Sequence, residues 1–336
     1  MIKYIIKRIL WMIPVIIGVS LFVFVALDLS PGEPARMVLG DQATNEDVEE
    51  FNEKYGLNDP LIVQYGKYMY KVVTKFDFGD SYVTGRPVTN EIVARLPKTF
   101  LLAFLITVIA TIIGILLGMA AGLHRGSVID SIVQVVAVLG VSVPEFWLGL
   151  LLILLFGVHL GWLPISGFYG PKYVILPALT CGLICSASTM RITRSSILDY
   201  VNEDFVRTFR ANGQTNRIIT WKHIFKNALI PIVTNVGTQF ASVLGGTITV
   251  ETVFSIPGLG KMLNEALTSR DYPQIRGAVI VLAFLVCVIN LIVDLIYTGI
   301  DPRIRAEFAE SASKKKTVSK TRQKQAIDKG SSIDER

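Results

Sequence analysis

The chain has 336 residues, of which 51% are hydrophobic and only 18% are charged, and its formal net charge is +6. This balance suits an integral membrane protein better than a soluble enzyme, and the apolar stretches described next predict an all-α fold. We therefore expect membrane lipid, and no nucleic acid, among its partners.

Six stretches are long and apolar enough to cross a bilayer. A spanning helix needs roughly 20 mostly apolar residues, and the predicted helices cover about residues 1–29, 99–123, 131–158, 173–190, 228–250 and 277–300. The first has the charged start of a secretory signal, but its apolar run exceeds the usual roughly 7 to 15 residues and no small-residue cleavage site follows it. We expect it to be retained as an N-terminal transmembrane helix.

The distribution of cations predicts the orientation of these helices. Seven Lys or Arg residues lie between Arg191 and Lys226, and ten follow the sixth span. Because Lys and Arg gather in cytoplasmic loops, both termini are predicted to be cytoplasmic. The long segment 30–98 is then an extracytoplasmic loop or subdomain, and the polar, basic residues 306–336 form a cytoplasmic tail that we expect to be disordered.

No catalytic, metal-binding or cofactor-binding residue is predicted in this chain. Its three cysteines lie inside apolar spans at spacings that suit neither disulfides nor zinc, and its three histidines are scattered. Gly260 and Lys261 resemble the end of a phosphate-binding loop. Such a loop also needs Gly at the position of Ser255 and Ser or Thr at that of Met262, so we expect a turn here instead.

Several polar side chains lie inside the predicted spans, where burial is expensive and often serves a function. One interpretation is that they line a pathway for a polar solute. The other is that they hydrogen-bond neighbouring helices, which is the commoner use of such side chains, or, for the glutamate, that it lies near an interface. The residues concerned are Glu145, Asn235, Gln239, Ser242 and Thr247.

The most informative segment runs from Asp204 to Pro231. It holds five cations against one carboxylate, and Gly213 interrupts an otherwise helical pattern. A basic, broken helix between spans predicts either a docking surface for a cytoplasmic partner or an amphipathic helix on anionic lipid. In the first case Phe205, Phe209 and Trp221 would supply apolar anchors for the partner.

This segment, DFVRTFRANGQTNRIITWKHIFKNALIP, resembles the cytoplasmic coupling loop of ABC importer permeases of the dipeptide, oligopeptide and nickel branch. The matching positions are Phe205, Arg207, Thr208, Ala211, Gly213, His223 and Asn227 to Pro231. The segment departs from the usual pattern of that branch at Phe209, Asn212 and Gln214. Further blocks in the same order, among them LDLSPGEPARMVLG, SVPEFW and ETVFSIPGLG, extend the resemblance to about residue 305 and leave only the tail outside.

The resemblance implies a type I ABC importer permease fold with six transmembrane helices, a large external loop after the first helix and a transport core at 99–305. It implies the B-type subunit of a peptide permease, which forms a translocation pathway with a homologous permease subunit. Two ATPase subunits would bind ATP and magnesium and dock on the coupling loop at 204–226, and an extracytoplasmic binding protein would deliver dipeptides or oligopeptides. The coupling residues are then Phe205, Arg207, Thr208, Arg210, Ala211, Gly213 and Gln214.

Other functions fit parts of the same sequence. Within the branch, the solute is in some members a nickel complex or an oligosaccharide. A secondary transporter or channel would work without nucleotide, and a membrane-embedded enzyme or sensor would need a module of its own, for which the tail is too short. For each of these the expected location is a bacterial or archaeal inner membrane.

Overall fold

The computed structural model describes residues 2–40 and 42–300, with side chains for 5–40 and 42–296, and the regular structure within these ranges is helical. The α-helices in chain order are α1 Ile2–Asp28, α2 Pro34–Leu39, α3 Asn45–Tyr55, α4 Leu61–Lys75, α5 Val88–Leu123, α6 Val128–Ser142, α7 Glu145–Leu152, α8 Ile175–Val201, α9 Asp204–Ala211, α10 Asn216–Ile218, α11 Phe225–Gly246, α12 Ile248–Val253, α13 Leu259–Ser269 and α14 Tyr272–Ile300. Two π-helical stretches, Ile153–His159 and Ile219–Ile224, follow α7 and α10, and a 3-10 turn, Pro171–Val174, precedes α8.

Among the described residues, five segments are long and apolar enough to cross a membrane, and they contain α1, α5, α8, α11 and α14. The bent pair α6 and α7 makes a sixth if it counts as one crossing. The predicted all-α membrane fold is confirmed. α5 begins at Val88, well before the predicted start at 99. Its first turns are polar, with Arg95 paired to Glu91 at 3.3 Å, so a search for charge-free residues misses them.

The third predicted helix, 131–158, is broken. α6 ends at Ser142, α7 begins at Glu145, and the two helices are bent by 103° relative to each other. Pro144 precedes α7, and Val143 has extended backbone. Proline has no N–H to continue the hydrogen bonds of α6, and its ring disfavours helical backbone at the residue before it. The range 131–158 therefore contains two helices at a sharp angle, and the prediction of one continuous helix over it is wrong.

The segment between α1 and α5 is folded around aromatic side chains. The Phe51 and Tyr55 rings each lie against the Tyr82 ring, with centroids 5.3 and 4.6 Å apart. The carboxylate of Asp271, which is buried just before α14, accepts hydrogen bonds from the Ser81 hydroxyl and from the Tyr82 N–H. These bonds fasten the segment to the start of the last helix.

Glycine allows α5 and α8 to approach closely at the centre of the fold. Gly114, Gly118 and Gly122 lie four residues apart and so share one face of α5. A Cβ atom on Gly118 would lie 2.6 Å from both the Met190 carbonyl oxygen and the Thr193 Cβ of α8. Small residues at this spacing are a common device for packing membrane helices.

Contacts divide the chain into two compact units, residues 1–291 and 292–336, with the boundary inside α14. The first unit contains the folded segment after α1, the packed helices α5 and α8, and the basic segment after α8. The predicted tail, 306–336, lies outside the described residues.

Candidate functional site

The basic segment after α8 folds as a short helix, a glycine turn and a second helical stretch that is partly π-helical. Beyond the end of α9 at Ala211, Gly213 adopts a φ of 77°, in the left-handed region that favours glycine. Its N–H donates to the Arg210 carbonyl at 3.0 Å, and the Gln214 N–H donates to the Phe209 carbonyl at 3.1 Å. The glycine therefore lets the chain turn sharply between α9 and α10 without losing backbone hydrogen bonds.

The inner face of α9 is anchored to the membrane helices of its own chain. Val206 is only 1% exposed and packs with Ile219 and Ile224 in one apolar cluster. Phe205 and Phe209 pack against the same cluster. Its other buried members are Met119, Ile197, Ala228 and Ile232. Both phenylalanines therefore help to hold the loop on this protein, and their predicted role as anchors for a partner stays a prediction.

A ring contact joins the two halves of the loop across the glycine turn. The Phe209 and His223 rings are nearly parallel, with centroids 3.8 Å apart. His223 Nε2 and Gln214 Oε1 lie 3.1 Å apart, within hydrogen-bonding distance. Phe209 and Gln214 are two of the positions at which the sequence departs from its branch, and both contact the same histidine.

The outer face of α9 presents cations and small side chains to the surroundings. Four of the predicted coupling residues are exposed there: Arg207, Thr208, Arg210 and Ala211. The Arg207 side chain is 77% exposed, and its ion pair with Asp204 is loose at 3.9 Å. Such a face has donors free to bind a second protein or an anionic surface. Its role in coupling stays a prediction.

Asn235 and Gln239 of α11 hydrogen-bond α8. The Gln239 amide donates to the Cys185 carbonyl at 2.7 Å, and its Oε1 accepts from the Thr189 hydroxyl at 3.0 Å. The Asn235 amide donates to the same Thr189 hydroxyl oxygen at 3.2 Å. In this structure the two amides act as polar contacts between helices, which is one of the two interpretations open from the sequence.

The other predicted pathway residues lie in different surroundings. Ser242 is exposed on α11, whereas Thr247 is buried beside α12. Glu145 lies in the first turn of α7, half-buried and near Cys181 of α8. Of the five residues, only Asn235 and Gln239 share a hydrogen-bonding partner. A common pathway for all five remains a prediction.

Glu251 is a fully buried carboxylate that the sequence argument missed. It accepts hydrogen bonds from the hydroxyls of Thr99 and Thr247 at 2.6 and 3.1 Å, and from the Lys261 N–H at 2.9 Å. A Cβ atom on Gly258 would lie 2.4 Å from the carboxylate. The glycines of SIPGLGKM therefore make room for a carboxylate at the N-terminus of α13, a favourable place for negative charge.

A second missed contact joins α6 to α8. Arg194 donates two hydrogen bonds to Asp130, at 2.6 and 2.9 Å, in a bidentate pair. The Gly126 N–H and the Gln134 amide also donate to this carboxylate, at 3.0 Å each. The two partners are 64 residues apart in sequence, and no local pattern pairs them.

Within the described ranges, no group of three or more His, Cys, Asp or Glu side chains is placed to hold a metal ion. The Cys181 and Cys185 sulfurs lie 3.9 Å apart, one turn apart on α8, as free thiols.

Two models of protein families match the chain, and both describe components of binding-protein-dependent transport systems. A profile described as binding-protein-dependent transport system inner membrane component matches residues 114–306, and a profile for the N-terminal part of such membrane components matches residues 1–103. The glutathione transport system permease protein GsiC of Escherichia coli strain K12 is 41% identical over 305 residues, which are 91% of this chain and 99% of the relative. GsiC of Salmonella typhi is 40% identical over 305 residues, which are again 91% of this chain and 99% of the relative.

Solved structures show the same fold at lower identity. Two crystal forms of the MetNI methionine ABC transporter, both titled as inward facing conformations, match with TM-scores of 0.55 and 0.51 at 17% and 19% identity. They cover 63% and 62% of this chain and 96% of the matched chains. The chain therefore belongs to the family of binding-protein-dependent transport system inner membrane components, as a multi-pass permease with the type I ABC importer fold.

Proposed function

We propose that this chain is a permease subunit of an ATP-driven importer of short peptides. The observation that carries this proposal is the 41% identity to glutathione permeases, which extends over 99% of their length. Glutathione is a tripeptide, so the similarity favours short peptides over a nickel complex or an oligosaccharide.

The subunit would act within a larger assembly. A homologous permease would complete the translocation pathway, and an extracytoplasmic binding protein would deliver the peptide. The family description, which names binding-protein-dependent transport, supports the latter. ATP and magnesium would bind to two partner ATPase subunits, so this chain would contribute a docking surface and a pathway but no hydrolytic site of its own.

The coupling loop would be the docking surface for one ATPase. Its outer face offers Arg207 and Arg210, while its inner face is fixed to the spans through Val206. A helix held in this way moves together with the membrane helices beneath it. Because a ligand shifts a conformational equilibrium only by its differential affinity, the ATPases must bind this loop differently in the inward and outward states.

Both termini would be cytoplasmic and the folded segment between α1 and α5 would be external. The cation distribution supports this orientation, with seven Lys or Arg residues between Arg191 and Lys226. It places the coupling loop on the side where ATP is available.

Peptide uptake by the complete transporter tests the proposal. The permeases and ATPases are reconstituted in proteoliposomes with ATP inside and the binding protein outside, and uptake of labelled glutathione and labelled dialanine is measured. We expect uptake only with both ATP and the binding protein. Uptake driven by an ion gradient without ATP would favour a secondary transporter instead, and uptake of nickel complexes or oligosaccharides but no peptide would overturn the substrate class.

A further inference from the structure

Arg276, on the second turn of α14, is a buried cation without an anionic partner among the described residues. Only 8% of the residue is exposed, and its guanidinium carbon lies 3.7 Å from the centre of the Phe24 ring of α1. Its Nε is buried without a hydrogen-bond acceptor, and no ion pair or hydrogen bond of this side chain occurs among the described residues. The Asp28 carboxylate is near enough to interact electrostatically with Arg276, but Asp28 is exposed and forms no ion pair with Arg276. A buried charge normally has a partner.

Two tyrosine hydroxyls near this arginine, those of Tyr68 and Tyr272, are also buried without a hydrogen-bond partner among the described residues. Arg276 is near enough to Tyr68 for an electrostatic interaction. The guanidinium carbon of Arg276 lies 5.9 Å from the centre of the Tyr272 ring. Burial raises the pKa of Tyr68 above its ordinary value and raises that of nearby Tyr82 to about 12. The phenols of Tyr68 and Tyr82 therefore keep their protons at neutral pH and can donate hydrogen bonds.

Arg276 and Tyr68 line a cavity of about 700 Å³ that the folded segment between α1 and α5 forms together with Phe24 of α1 and Pro273 of α14. This volume lies in the range of roughly 300–1,000 Å³ that is usual for small-molecule sites. Aromatic rings line it together with five cations, counting Arg276, and four carboxylates, so the wall has a net charge of about +1. Among these, Lys67 and Asp59 already form an ion pair at 2.6 Å.

We infer that this cavity binds a small zwitterionic solute through its carboxylate, with Arg276 and Tyr68 as the donors. The planar guanidinium matches a carboxylate in bidentate geometry. The net charge of about +1 suits a monoanionic group better than a doubly charged phosphate, and the lining carboxylates can accept hydrogen bonds from an ammonium group at the other end of the solute. A short peptide has both groups.

This site is distinct from the pathway residues of α11 and depends on the proposed function only for its position outside the membrane. There it would hold a peptide near the entrance before or during delivery.

The test is direct binding to the assembled transporter in nanodiscs, without the binding protein. Isothermal titration with glycylglycine is compared with glycylglycinamide, which has a neutral carboxamide in place of the carboxylate, and with inorganic phosphate. We expect binding of glycylglycine alone. In Arg276→Gln the Kd should rise roughly tenfold or more, because a charged hydrogen bond is lost. Arg276→Lys should retain part of the affinity, since the positive charge remains but the bidentate geometry of the guanidinium is lost.

Two further variants separate binding from folding. Tyr68→Phe removes only an unpartnered hydroxyl, so it should fold normally and weaken glycylglycine binding several-fold. Arg86→Gln changes an exposed arginine of the same segment that does not line the cavity, and it should leave the Kd unchanged. Without ligand, the melting temperature of Arg276→Met should equal or exceed that of the wild type, because an unpaired buried charge is removed.

Equal binding of the amide or of phosphate would overturn the carboxylate assignment. So would an absence of glycylglycine binding by the wild type, an unchanged Kd in both Arg276→Gln and Tyr68→Phe, or a lowered melting temperature of Arg276→Met without ligand. Failure of the proposed function looks different: glycylglycine would bind through Arg276, yet the proteoliposomes would take up no peptide with ATP.

Discussion

The Thr99 hydroxyl donates a hydrogen bond to the buried Glu251 carboxylate at 2.6 Å and accepts one from the Leu259 N–H at 2.8 Å. One side chain of α5 thus satisfies a carboxylate of α12 and an orphan backbone donor at the start of α13. Since the first N–H groups of a helix have no partner within it, this hydroxyl fixes the position of α13 against the second span.

Thr99→Val should destabilise the protein. It leaves the Leu259 N–H without an acceptor and removes one donor from Glu251, and an unsatisfied buried polar group costs about 1–3 kcal/mol. We expect a lower melting temperature of the purified transporter and an unfolding free energy reduced by about that amount in detergent titrations.

Thr111→Val on the same helix is the matched control. The Thr111 hydroxyl is buried without a hydrogen-bond partner among the described residues, so the same substitution removes no bond there. It should be neutral or slightly stabilising. If both variants lost equal stability, the bond between Thr99 and Glu251 would not be the cause.

Gly118→Val should prevent the close packing of α5 on α8. The new Cβ would lie 2.6 Å from the Met190 carbonyl oxygen, which is backbone and cannot rotate away. Overpacking typically costs about 1–3 kcal/mol, and a clash with backbone belongs at the upper end. The expected result is loss of folded protein in fluorescence-detected size exclusion.

Gly18→Val serves as the control for this glycine. Gly18 also lies in a membrane helix, but a Cβ atom built there meets no atom within 4 Å. It should therefore yield folded protein at the wild-type level. Comparable loss in both variants would point to a general effect of valine on insertion.

The sequence predicted the helical membrane fold because long charge-free runs are a local signal. It failed where polar turns extend a helix, as at the start of α5, and where Pro144 bends a mostly apolar run whose one charge is Glu145. The buried pairs of Glu251 with Thr99 and of Asp130 with Arg194 are separated by 152 and 64 residues. A single sequence has no periodicity that pairs residues so far apart.

The turn at Gly213 could be predicted because a lone glycine in a helical pattern is a strong breaker. The direction of the aromatic side chains could not. Phe205 and Phe209, predicted as apolar anchors for a partner, pack against the cluster that holds Val206 and the spans of this chain, and their contact with a partner stays a prediction. An amphipathic helix shows which residues share a face, and only the structure shows what covers that face.

The pair of Asp130 and Arg194 should behave as one unit in a double-mutant cycle. Asp130→Asn and Arg194→Gln each leave the partner without its bidentate contact, whereas the double variant retains two neutral amides. We expect each single variant to lower the melting temperature and the double variant to lower it by less than the sum. Lys67→Gln, which breaks an exposed ion pair, should have no measurable effect. Strictly additive losses would mean that the pair contributes no coupling.

Gly213→Val should separate ATP hydrolysis from transport. The residue has a φ of 77°, which strains any β-branched side chain, although no atom lies within 4 Å of the added Cβ. The loop would therefore relax to another backbone conformation, at a cost of about 1–3 kcal/mol, while the spans remain packed. We expect normal membrane insertion, ATPase activity that no longer responds to the binding protein, and little peptide uptake.

Gly213→Asn distinguishes backbone strain from loss of glycine as such. Asparagine tolerates the left-handed region better than other non-glycine residues, so this variant should retain most of the uptake that valine abolishes. Wild-type uptake by Gly213→Val would contradict a coupling role for the turn. It would mean that coupling does not depend on how the turn positions the outer face with Arg207 and Arg210.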